Sequence, residues 1–470
     1  MKMSSNEYDA VIIGAGIGGL VCGCYLAKAG MKVLIAEQHN KPGGYCTSFK
    51  RGNFTFDAAA HSFGGMRFGP LGKIFNDLKI NERINIYQCD PSDIIITPDL
   101  QVSFNSDINN TIKNFQEAFP NENYNIERFF NFLINLEQNI SISFRKNNFT
   151  KILDSFFSSY KIKSALSFPV FGNSGLPPSK LSAFFGLKLF KEFLLDGGYY
   201  PDGGMQTLAN ILAEIFKENG GKLFLSSKVK KIISDGKNVL GIKLSDNEQY
   251  FSKYVISNCD MRQTYLKLLG KEFIDKAFLN TISKMIPSLS VFIVYIGLKE
   301  PIYNNYFKPG SNIWYLLDYN LDNSYFNSKN GFFNDINNLM MHISPDRKSV
   351  TFFINAPYKN KMYWNDNKKE VLNLFINKIQ NIPIDNIIDN IEFKEAATPY
   401  TLFRYTSNYK GASFGWAGIP SQLVLPGFIK NRFINGLFMT GHWTTHGFGI
   451  PGVTYIGYET ARRIINNFKR

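Results

Sequence analysis

The chain has 470 residues, 44% of them hydrophobic and 19% charged, a composition that can bury a large core and is not that of a disordered polymer. Five cysteines without a CxxC pair and five histidines without an HExxH motif disfavour a disulfide-stapled module, a structural zinc site and metal-dependent hydrolysis. The formal net charge of +14 favours an acidic partner. Because the basic residues are dispersed and no nucleic-acid-binding motif is present, we expect no nucleic acid among the partners.

The apolar run over residues 11–27 has two interpretations. Its length and the small residues behind it are similar to a secretory signal peptide. However, Glu7 and Asp9 occupy the place of the positively charged region of a signal peptide, and the glycines at 14, 16, 18 and 19 would weaken a hydrophobic helix. The run therefore predicts a strand, a glycine turn and a helix. No stretch stays apolar for the roughly 18 residues that a membrane-spanning helix needs.

Residues 8–37 match a dinucleotide-binding βαβ unit. The pattern predicts a strand over 8–13, a GxGxxG turn, a helix over 20–29 and a strand over 31–36 that ends at Glu37. A strand, a turn, a helix, a second strand and an acid in this order are far more specific than a lone GxGxxG. The alternative is a glycine-rich turn with an incidental glutamate.

Each key position of this unit has a physical task. Gly14 permits the tight turn, Gly16 lets a pyrophosphate approach the backbone, and Gly19 lets the helix pack close to the sheet. The helix N-terminus then faces the phosphates with its unpaired amides and its positive dipole end. Glu37, about twenty residues beyond the glycines, can accept both ribose hydroxyls of an adenosine.

The residues after Glu37 indicate which dinucleotide is bound. Pro42-Gly43-Gly44 follows the acid, and a G-x-F-x-F-D segment follows over residues 52–57. Together these residues resemble the amine-oxidase and phytoene-desaturase superfamily of flavoproteins, and in particular its retinol saturases and carotenoid-isomerase-like enzymes. The resemblance implies an α/β, Rossmann-like FAD-binding domain of the glutathione-reductase type, with an inserted α+β substrate domain. For the residues themselves, a hairpin with glycine corners is the alternative.

Two later segments support the same resemblance. A helix opening at residues 200–208, followed by strands up to residue 260, has the order of the second part of the flavin domain, where Val229 would meet the adenine. Near the C-terminus, a strand over 436–441 precedes a helix that starts at Pro451-Gly452-Val453. A helix N-terminus stabilises the negative charge that a flavin gathers on reduction.

The resemblance implies that residues of all three segments hold the FAD: Gly14, Gly16, Gly18, Gly19, Glu37, Gln38, Gly43, Gly44, Tyr45, Ser48, Val229, Gly441, His442, Gly449, Pro451, Gly452 and Val453. Two of these positions depart from the family pattern, because Tyr45 replaces the usual Arg and His442 the usual Asp. We interpret His442 as a tolerated variant, with a capping or surface histidine as the alternative. His61 is predicted to be catalytic on the substrate side, with a structural histidine as the alternative.

The blocks of resemblance divide the chain into two discontinuous domains. The FAD-binding domain is predicted over 1–75, 196–270 and 396–470, and the substrate domain over 76–195 and 271–395. Apolar strands over 288–298 and 349–355 are expected to floor a substrate cavity. Aromatic rings of the inserted segments either face a long apolar chain or pack in a core: Phe129, Phe130, Phe132, Phe156, Phe157, Phe168, Phe171, Phe184, Phe185, Phe190 and Phe193.

The helix predicted over residues 181–195 is apolar around most of its circumference. Lys188, Lys191 and Glu192 share one narrow face of it. Burial is the favoured interpretation, and a place in a membrane interface with the lysines at the headgroups is the alternative.

These observations predict an FAD-dependent oxidoreductase that desaturates, saturates or isomerises the carbon–carbon bonds of a long apolar substrate, isoprenoid or acyl, with hydride transfer through flavin N5. A flavin-binding carrier of an apolar ligand and an amine oxidase are the alternatives. An anionic membrane surface and an acyl carrier protein are both kept as acidic partners. The expected location is the cytoplasm, with peripheral attachment to the inner face of the cell membrane left open.

Overall fold

The computed structural model describes residues 6–136, 142–303, 310–380, 382, 387–423, 433–444, 447 and 449–468. The strands are, in chain order, β1 (Glu7–Ile13), β2 (Val33–Ala36), β3 (Ser48–Arg51), β4 (Phe54–Asp57), β5 (Ile86–Gln88), β6 (Asp93–Ile96), β7 (Gln101–Phe104), β8 (Tyr199–Pro201), β9 (Lys222–Phe224), β10 (Val229–Ser234), β11 (Val239–Leu244), β12 (Gln249–Ser257), β13 (Ser290–Leu298), β14 (Asn312–Tyr315), β15 (Leu339–Ile343), β16 (Ser349–Ala356), β17 (Ile391–Ala397) and β18 (Leu437–Met439).

The α-helices of the described residues are α1 (Ile17–Lys28), α2 (Leu71–Asp77), α3 (Ile108–Ala118), α4 (Asn123–Ile134), α5 (Phe149–Asp154), α6 (Tyr160–Gly172), α7 (Ala183–Leu189), α8 (Met205–Glu218), α9 (Lys276–Lys284), α10 (Leu321–Asn330), α11 (Lys361–Ile379), α12 (Pro399–Thr406), α13 (Pro420–Leu423) and α14 (Gly449–Phe468). Two π-helical segments follow α7 and β12, over Phe190–Leu195 and Gln263–Leu269.

The first sheet is built around β1, which runs parallel to β2 on one side and to β12 on the other. Its order is β10-β11-β12-β1-β2-β9, and β18 runs parallel to the last residues of β12. Strands that are buried on both faces are apolar, as β2 is along its whole length and β1 is from Ala10 to Ile13. The predicted strand, helix and strand over 8–36 are confirmed, with α1 beginning at Ile17 rather than at residue 20.

Helix α14 crosses α1 at very short range. A Cβ atom added at Gly457 would lie 2.5 Å from the carbonyl oxygen of Gly18, so the two backbones are almost in contact. Nearly every residue of α1 is buried, with the first sheet on one side and α14 on another. The apolar run over 11–27 is therefore part of a core in which α1 and α14 pack together.

The second sheet has the order β17-β13-β16-β15-β14-β6-β7, antiparallel except for the β6–β14 pair. The predicted strands over 288–298 and 349–355 are confirmed as β13 and β16, which are neighbours in this sheet. The helices α3 to α7 bury an aromatic core against it. The predicted domain limits remain a prediction; β17 of the second sheet crosses the limit set at residue 396.

The helix predicted over 181–195 is α7 continued by the π-helical segment Phe190–Leu195. Most of its apolar side chains are buried in the aromatic core, which bears out burial and not the membrane-interface alternative for this helix. Among the described residues, no helix combines the length and the apolar character needed to cross a membrane.

Candidate active site

The predicted site residues gather at one edge of the first sheet. Gly14 follows β1, Glu37 follows β2, Asn258 follows β12 and Gly441 follows β18, so the carboxyl ends of four parallel strands meet there. Ligands of open α/β sheets bind at this edge, where the strand order changes direction. A cavity of about 950 Å³ opens at this place, a size typical of cofactor and ligand sites.

The glycine turn presents the N-terminus of α1 to the cavity. Gly14 has a φ of +96°, a conformation that side chains disfavour. Gly16, Ile17 and Gly18 line the cavity, and α1 has neither a side-chain cap nor an acidic residue in its first turn. No side chain of α1 therefore competes with an anionic ligand for these amides and the positive dipole end. Gly19 packs instead, because a Cβ there would lie 2.3 Å from the Gly14 carbonyl oxygen.

The Glu37 carboxylate is held in one orientation by two backbone amides. Oε2 accepts a hydrogen bond from the Ala15 N–H at 2.7 Å, and Oε1 accepts one from the His39 N–H at 2.9 Å. Each carboxylate oxygen has a second lone pair, so Glu37 can accept two further hydroxyl groups. Gln38 and Val229 also line the cavity.

The Pro42-Gly43-Gly44 segment lies directly against the glycine turn. The Gly43 N–H donates to the Ala15 carbonyl oxygen at 2.9 Å, and a Cβ at Gly44 would lie 3.4 Å from the Gly16 Cα. The G-x-F-x-F-D segment forms the β3–β4 hairpin, and Ser48 at its start donates to Asp57 at 2.6 Å. The hairpin alternative is thus correct as a description of the local structure, and the hairpin also contributes Ser48 to the cavity wall.

Asn258 is a site residue for which the sequence contained no motif. Its side chain fills the space between the N-terminal and C-terminal glycines: Nδ2 donates to the Gly14 carbonyl oxygen at 3.4 Å, and a Cβ at Gly441 would lie 2.3 Å from Oδ1. A Cβ at Gly16 would lie 2.9 Å from Nδ2. One amide therefore joins segments from the beginning, middle and end of the chain.

Tyr45 and His442, the two departures from the family pattern, are neighbours with ring centroids 6.0 Å apart. The Tyr45 hydroxyl donates to the Ala412 carbonyl oxygen at 3.0 Å and accepts from Asn408 Nδ2 at 3.2 Å. Burial lowers the pKa of His442 to about 4, so its imidazole is neutral at neutral pH. His442 lies at the cavity wall, and the outer-surface alternative is therefore wrong.

The N-terminus of α14 lies beside the first turn of α1, because a Cβ at Gly18 would lie 3.1 Å from the Val453 carbonyl oxygen. Gly449 has a φ of +68°, and Gly449, Pro451 and Val453 line the cavity. Gly452 packs closely against the Gly447 backbone, because a Cβ at Gly452 would lie 3.0 Å from the Gly447 Cα. The residues Thr445, His446 and Phe448 of the predicted turn lie outside the described residues.

His61 lines the cavity with its ring but does not offer a nitrogen to it. Nδ1 lies 3.1 Å from the Ala59 carbonyl oxygen, and Nε2 is buried without a hydrogen-bond partner among the described residues. Burial lowers the pKa of His61 to about 4. Its ring lies 4.8 Å from Phe353 and 5.5 Å from His342, which is also buried. The catalytic role of His61 remains a prediction.

Part of the cavity wall, the apolar arm, is formed by aromatic rings. Trp314 and Phe353 line it together with some of the predicted rings: Phe168, Phe171, Phe185 and Phe193. The remaining rings pack in the aromatic core: Phe129, Phe130, Phe132, Phe156, Phe157, Phe184 and Phe190. The rings of Phe168, Phe171, Phe185 and Phe193 also belong to the aromatic core, so core packing is confirmed for the whole set. That a long apolar chain lies against the four cavity-lining rings remains a prediction.

These features fit FAD. An uncapped helix N-terminus faces the cavity, and an oriented carboxylate lies at the end of the second strand. Fold and site thus define an FAD-dependent oxidoreductase. Residues 17–465 match the family model described as flavin containing amine oxidoreductase, and the chain belongs to this family.

Several curated proteins are similar to this chain over most of its length. All-trans-retinol 13,14-reductase of Danio rerio is 27% identical, covering 93% of this chain and 82% of its own. Prolycopene isomerase of Arabidopsis thaliana is 26% identical over 97% of this chain and 82% of its own, and 4,4'-diapophytoene desaturase of Methylomonas is 25% identical over 97% and 94%. Among solved structures, an oxidoreductase from Methanosarcina mazei has a TM-score of 0.67 at 18% identity, covering 98% of this chain and 100% of its own, which shows the shared fold.

Proposed function

We propose that this chain transfers hydride between FAD and a carbon–carbon bond of a long apolar substrate, isoprenoid or acyl, and so desaturates, saturates or isomerises it. The observation that carries the proposal is the apolar arm, whose aromatic rings continue the wall that contains Tyr45, His61 and His442. Rings of this kind offer extended apolar contact to a polyene or an acyl chain. The similar proteins are named for a reduction, an isomerisation and a desaturation, so all three reactions are kept.

In this proposal the FAD lies along the cavity from Glu37 to α14. The Glu37 carboxylate and the wall at Val229 receive the adenosine, and the amides at the N-terminus of α1 receive the diphosphate. The N-terminus of α14 and His442 face the ring system. The bound flavin supplies the acceptor and donor of hydride; the apolar arm orients the substrate and excludes water.

A carrier without turnover and an amine oxidase are the competing functions. A carrier would bind the same apolar ligand without changing it. An amine oxidase would need a wall that accepts a cationic or free amine beside the flavin. The apolar arm favours neither a charged amine nor a short one, and the amine oxidase therefore ranks below the proposed function.

The acidic partner that the net charge of +14 favours would deliver the substrate. An anionic membrane surface, with peripheral attachment on the cytoplasmic side, and an acyl carrier protein are the two candidates. Co-sedimentation with anionic liposomes and pull-down by acyl carrier protein separate them, and failure of both would contradict this part of the proposal. Binding to liposomes should weaken steeply as salt is added.

The proposed reaction is tested by anaerobic incubation of the FAD-loaded protein with a polyene, once with oxidised and once with reduced flavin. We expect chromatography coupled to mass spectrometry to show a product changed by two hydrogens, or a geometric isomer of unchanged mass and altered retention time, in at least one arm. Unchanged polyene in both arms, together with a flavin spectrum that never responds to it, would instead indicate a carrier.

A further inference from the structure

Two ion pairs of the described residues line the cavity: the more exposed Arg51–Glu395 pair and a more buried pair beside the aromatic rings of Phe185 and Phe193. Lys188 on α7 and Glu192 in the π-helical segment Phe190–Leu195 both line the cavity, with Nζ and the carboxylate 3.6 Å apart. Their side chains are only 23% and 20% exposed. They share the cavity-facing side of this helix with Phe185, Leu189 and Phe193. Taking two charges out of water is costly, and two apolar side chains would pack in such a wall without that cost.

We infer that Lys188 and Glu192 form a binding site for a hydroxyl group at one end of the apolar substrate. This inference rests on the proposed function and specifies its substrate class: a long-chain alcohol in preference to a hydrocarbon, an acid or an amine. The pair offers both kinds of hydrogen-bonding group, since an ammonium only donates and a carboxylate only accepts. A hydroxyl both donates and accepts, and can therefore use both members of the pair.

Charged end groups fit the pair less well. A substrate carboxylate would be attracted by Lys188 but repelled by Glu192, and an ammonium would meet the reverse situation. Burial raises the pKa of the Glu192 carboxyl group, the Lys188 ammonium lowers it, and the nearby Asp196 carboxylate adds to the rise. The Lys191 ammonium donates to the Leu136 carbonyl oxygen, and the Asp196 carboxylate accepts from the amides of Arg67 and Phe68. Neither side chain lines the cavity.

The pair lies on the wall that leads to the N-terminus of α14. A Cβ at Gly64 would lie 2.1 Å from the Glu192 carbonyl oxygen, and a Cβ at Gly65 would lie 3.0 Å from the Pro451 Cβ. The two adjacent glycines thus connect the backbone that carries Glu192 to the first turn of α14. A hydroxyl bound by the pair would place the carbons next to it, rather than the far end of the chain, toward the proposed flavin ring.

The test compares the binding of a polyene alcohol with that of the polyene hydrocarbon of equal length. Quenching of tryptophan fluorescence in the FAD-loaded protein reports binding, because Trp314 lines the apolar arm. We expect the wild-type chain to bind the alcohol about tenfold more tightly, the gain expected of one to two added hydrogen bonds. In the variant Lys188→Met/Glu192→Met the ratio should fall to about one, with hydrocarbon binding retained.

The variant Lys113→Met/Glu117→Met is the matched control. This pair has the same i, i+4 spacing on α3, a separation of 3.8 Å, and side chains that are 73% and 67% exposed outside the cavity. It should keep the tenfold preference. A preference that survives in Lys188→Met/Glu192→Met would overturn the inference.

A ligand series on the wild-type chain gives an answer that does not depend on a variant. We expect the methyl ether, the carboxylic acid and the amine of the same chain all to bind more weakly than the alcohol. Equal binding of alcohol and hydrocarbon overturns the hydroxyl site but leaves the proposed function standing. If no member of the series binds, both the site and the proposed function fail.

Discussion

Single glycines determine how closely the segments of this chain approach each other at the cavity. At Gly441 the backbone has a φ of +76°, and its missing side chain leaves room for the Asn258 amide. At Gly415, where φ is +69°, a Cβ would lie 2.1 Å from the His442 carbonyl oxygen. A methyl group at either position would therefore push the C-terminal segment away from the glycine turn.

The substitution Gly441→Ala should weaken FAD binding tenfold or more. This corresponds to a cost of at least about 1.4 kcal/mol for moving the residues around the added methyl group. The added methyl would have to move Asn258, which contacts Gly14 and Gly16 on the other side. The measurement is the flavin-to-protein ratio from visible absorbance after gel filtration at limiting FAD.

Gly30→Ala controls for backbone strain alone. Gly30 has a similar φ of +85°, but nothing lies within 4 Å of a Cβ there. In both variants an alanine must adopt a left-handed backbone conformation, which costs roughly 1–2 kcal/mol, so both proteins should unfold more easily. Equal flavin content in the two variants would show that the close contact between Gly441 and Asn258 is not needed for FAD binding.

The buried histidines make stability dependent on pH. Burial lowers the pKa of His61 to about 4 and holds that of His342 well below its ordinary value. In the unfolded chain each binds a proton near pH 6.5. Because the unfolded state then holds more protons than the folded state, the free energy of unfolding falls as the pH drops from about 6.5 to about 4.

The substitution His61→Asn should reduce this loss of stability at low pH. The Asn side chain can donate to the Ala59 carbonyl oxygen in place of Nδ1 but does not titrate. We expect the variant's free energy of unfolding to fall less between pH 6.5 and pH 4, by up to about 3 kcal/mol, in urea unfolding at a series of pH values. The same fall in both proteins would mean that His61 is not held neutral by burial.

At the scale of elements, a chain of hydrogen bonds joins the loop after β2 to the segments before α13 and after β18. Tyr45 bonds to Asn408, whose Oδ1 accepts from Trp443 Nε1 at 2.8 Å. Trp416 Nε1 donates to the Trp443 carbonyl oxygen at 3.0 Å, and the two indole rings are 4.9 Å apart. In this chain Tyr45 therefore connects elements at a position where the family pattern has an Arg.

Tyr45→Phe should lower the free energy of unfolding by about 1–3 kcal/mol, because the Ala412 carbonyl oxygen and Asn408 Nδ2 lose their partner. Chemical denaturation followed by tryptophan fluorescence measures it. Tyr124→Phe is the control, since Tyr124 is 72% exposed and its loss of a hydroxyl should change stability by less than about 0.5 kcal/mol. A Tyr45→Phe value as small as the control's would contradict the connecting role.

The βαβ unit over 7–37 could be predicted because its signals are local. Glycine spacing, apolar strands and the acid at the end of β2 act over a few residues each. Asn258 and Asn408 could not be predicted, because each is brought to the site by contacts between residues far apart in the chain. The π-helical segment that carries Glu192 likewise has no sequence signal; the pattern predicted only one buried helix there.

For the whole molecule, the sequence indicated the alternation of strands and helices but not how the second sheet is assembled. The parallel pairing of β6 with β14 joins residues 93–96 to 312–315 and closes the sheet between two inserted segments. This pairing fixes the position of Trp314 in the apolar arm, because its Nε1 donates to the buried Asp93 carboxylate at 2.7 Å. Such long-range pairing depends on the complete core and is not encoded in any one segment.

A crystal structure of the purified, FAD-loaded protein would test the central claim most directly. We predict one FAD per chain, with the adenosine ribose on Glu37, the diphosphate at the amides of Gly16 to Gly18, and the ring system between His442 and the first turn of α14. Density for a different compound in this cavity, or an FAD whose ring lies away from α14 and the apolar arm, would contradict the account.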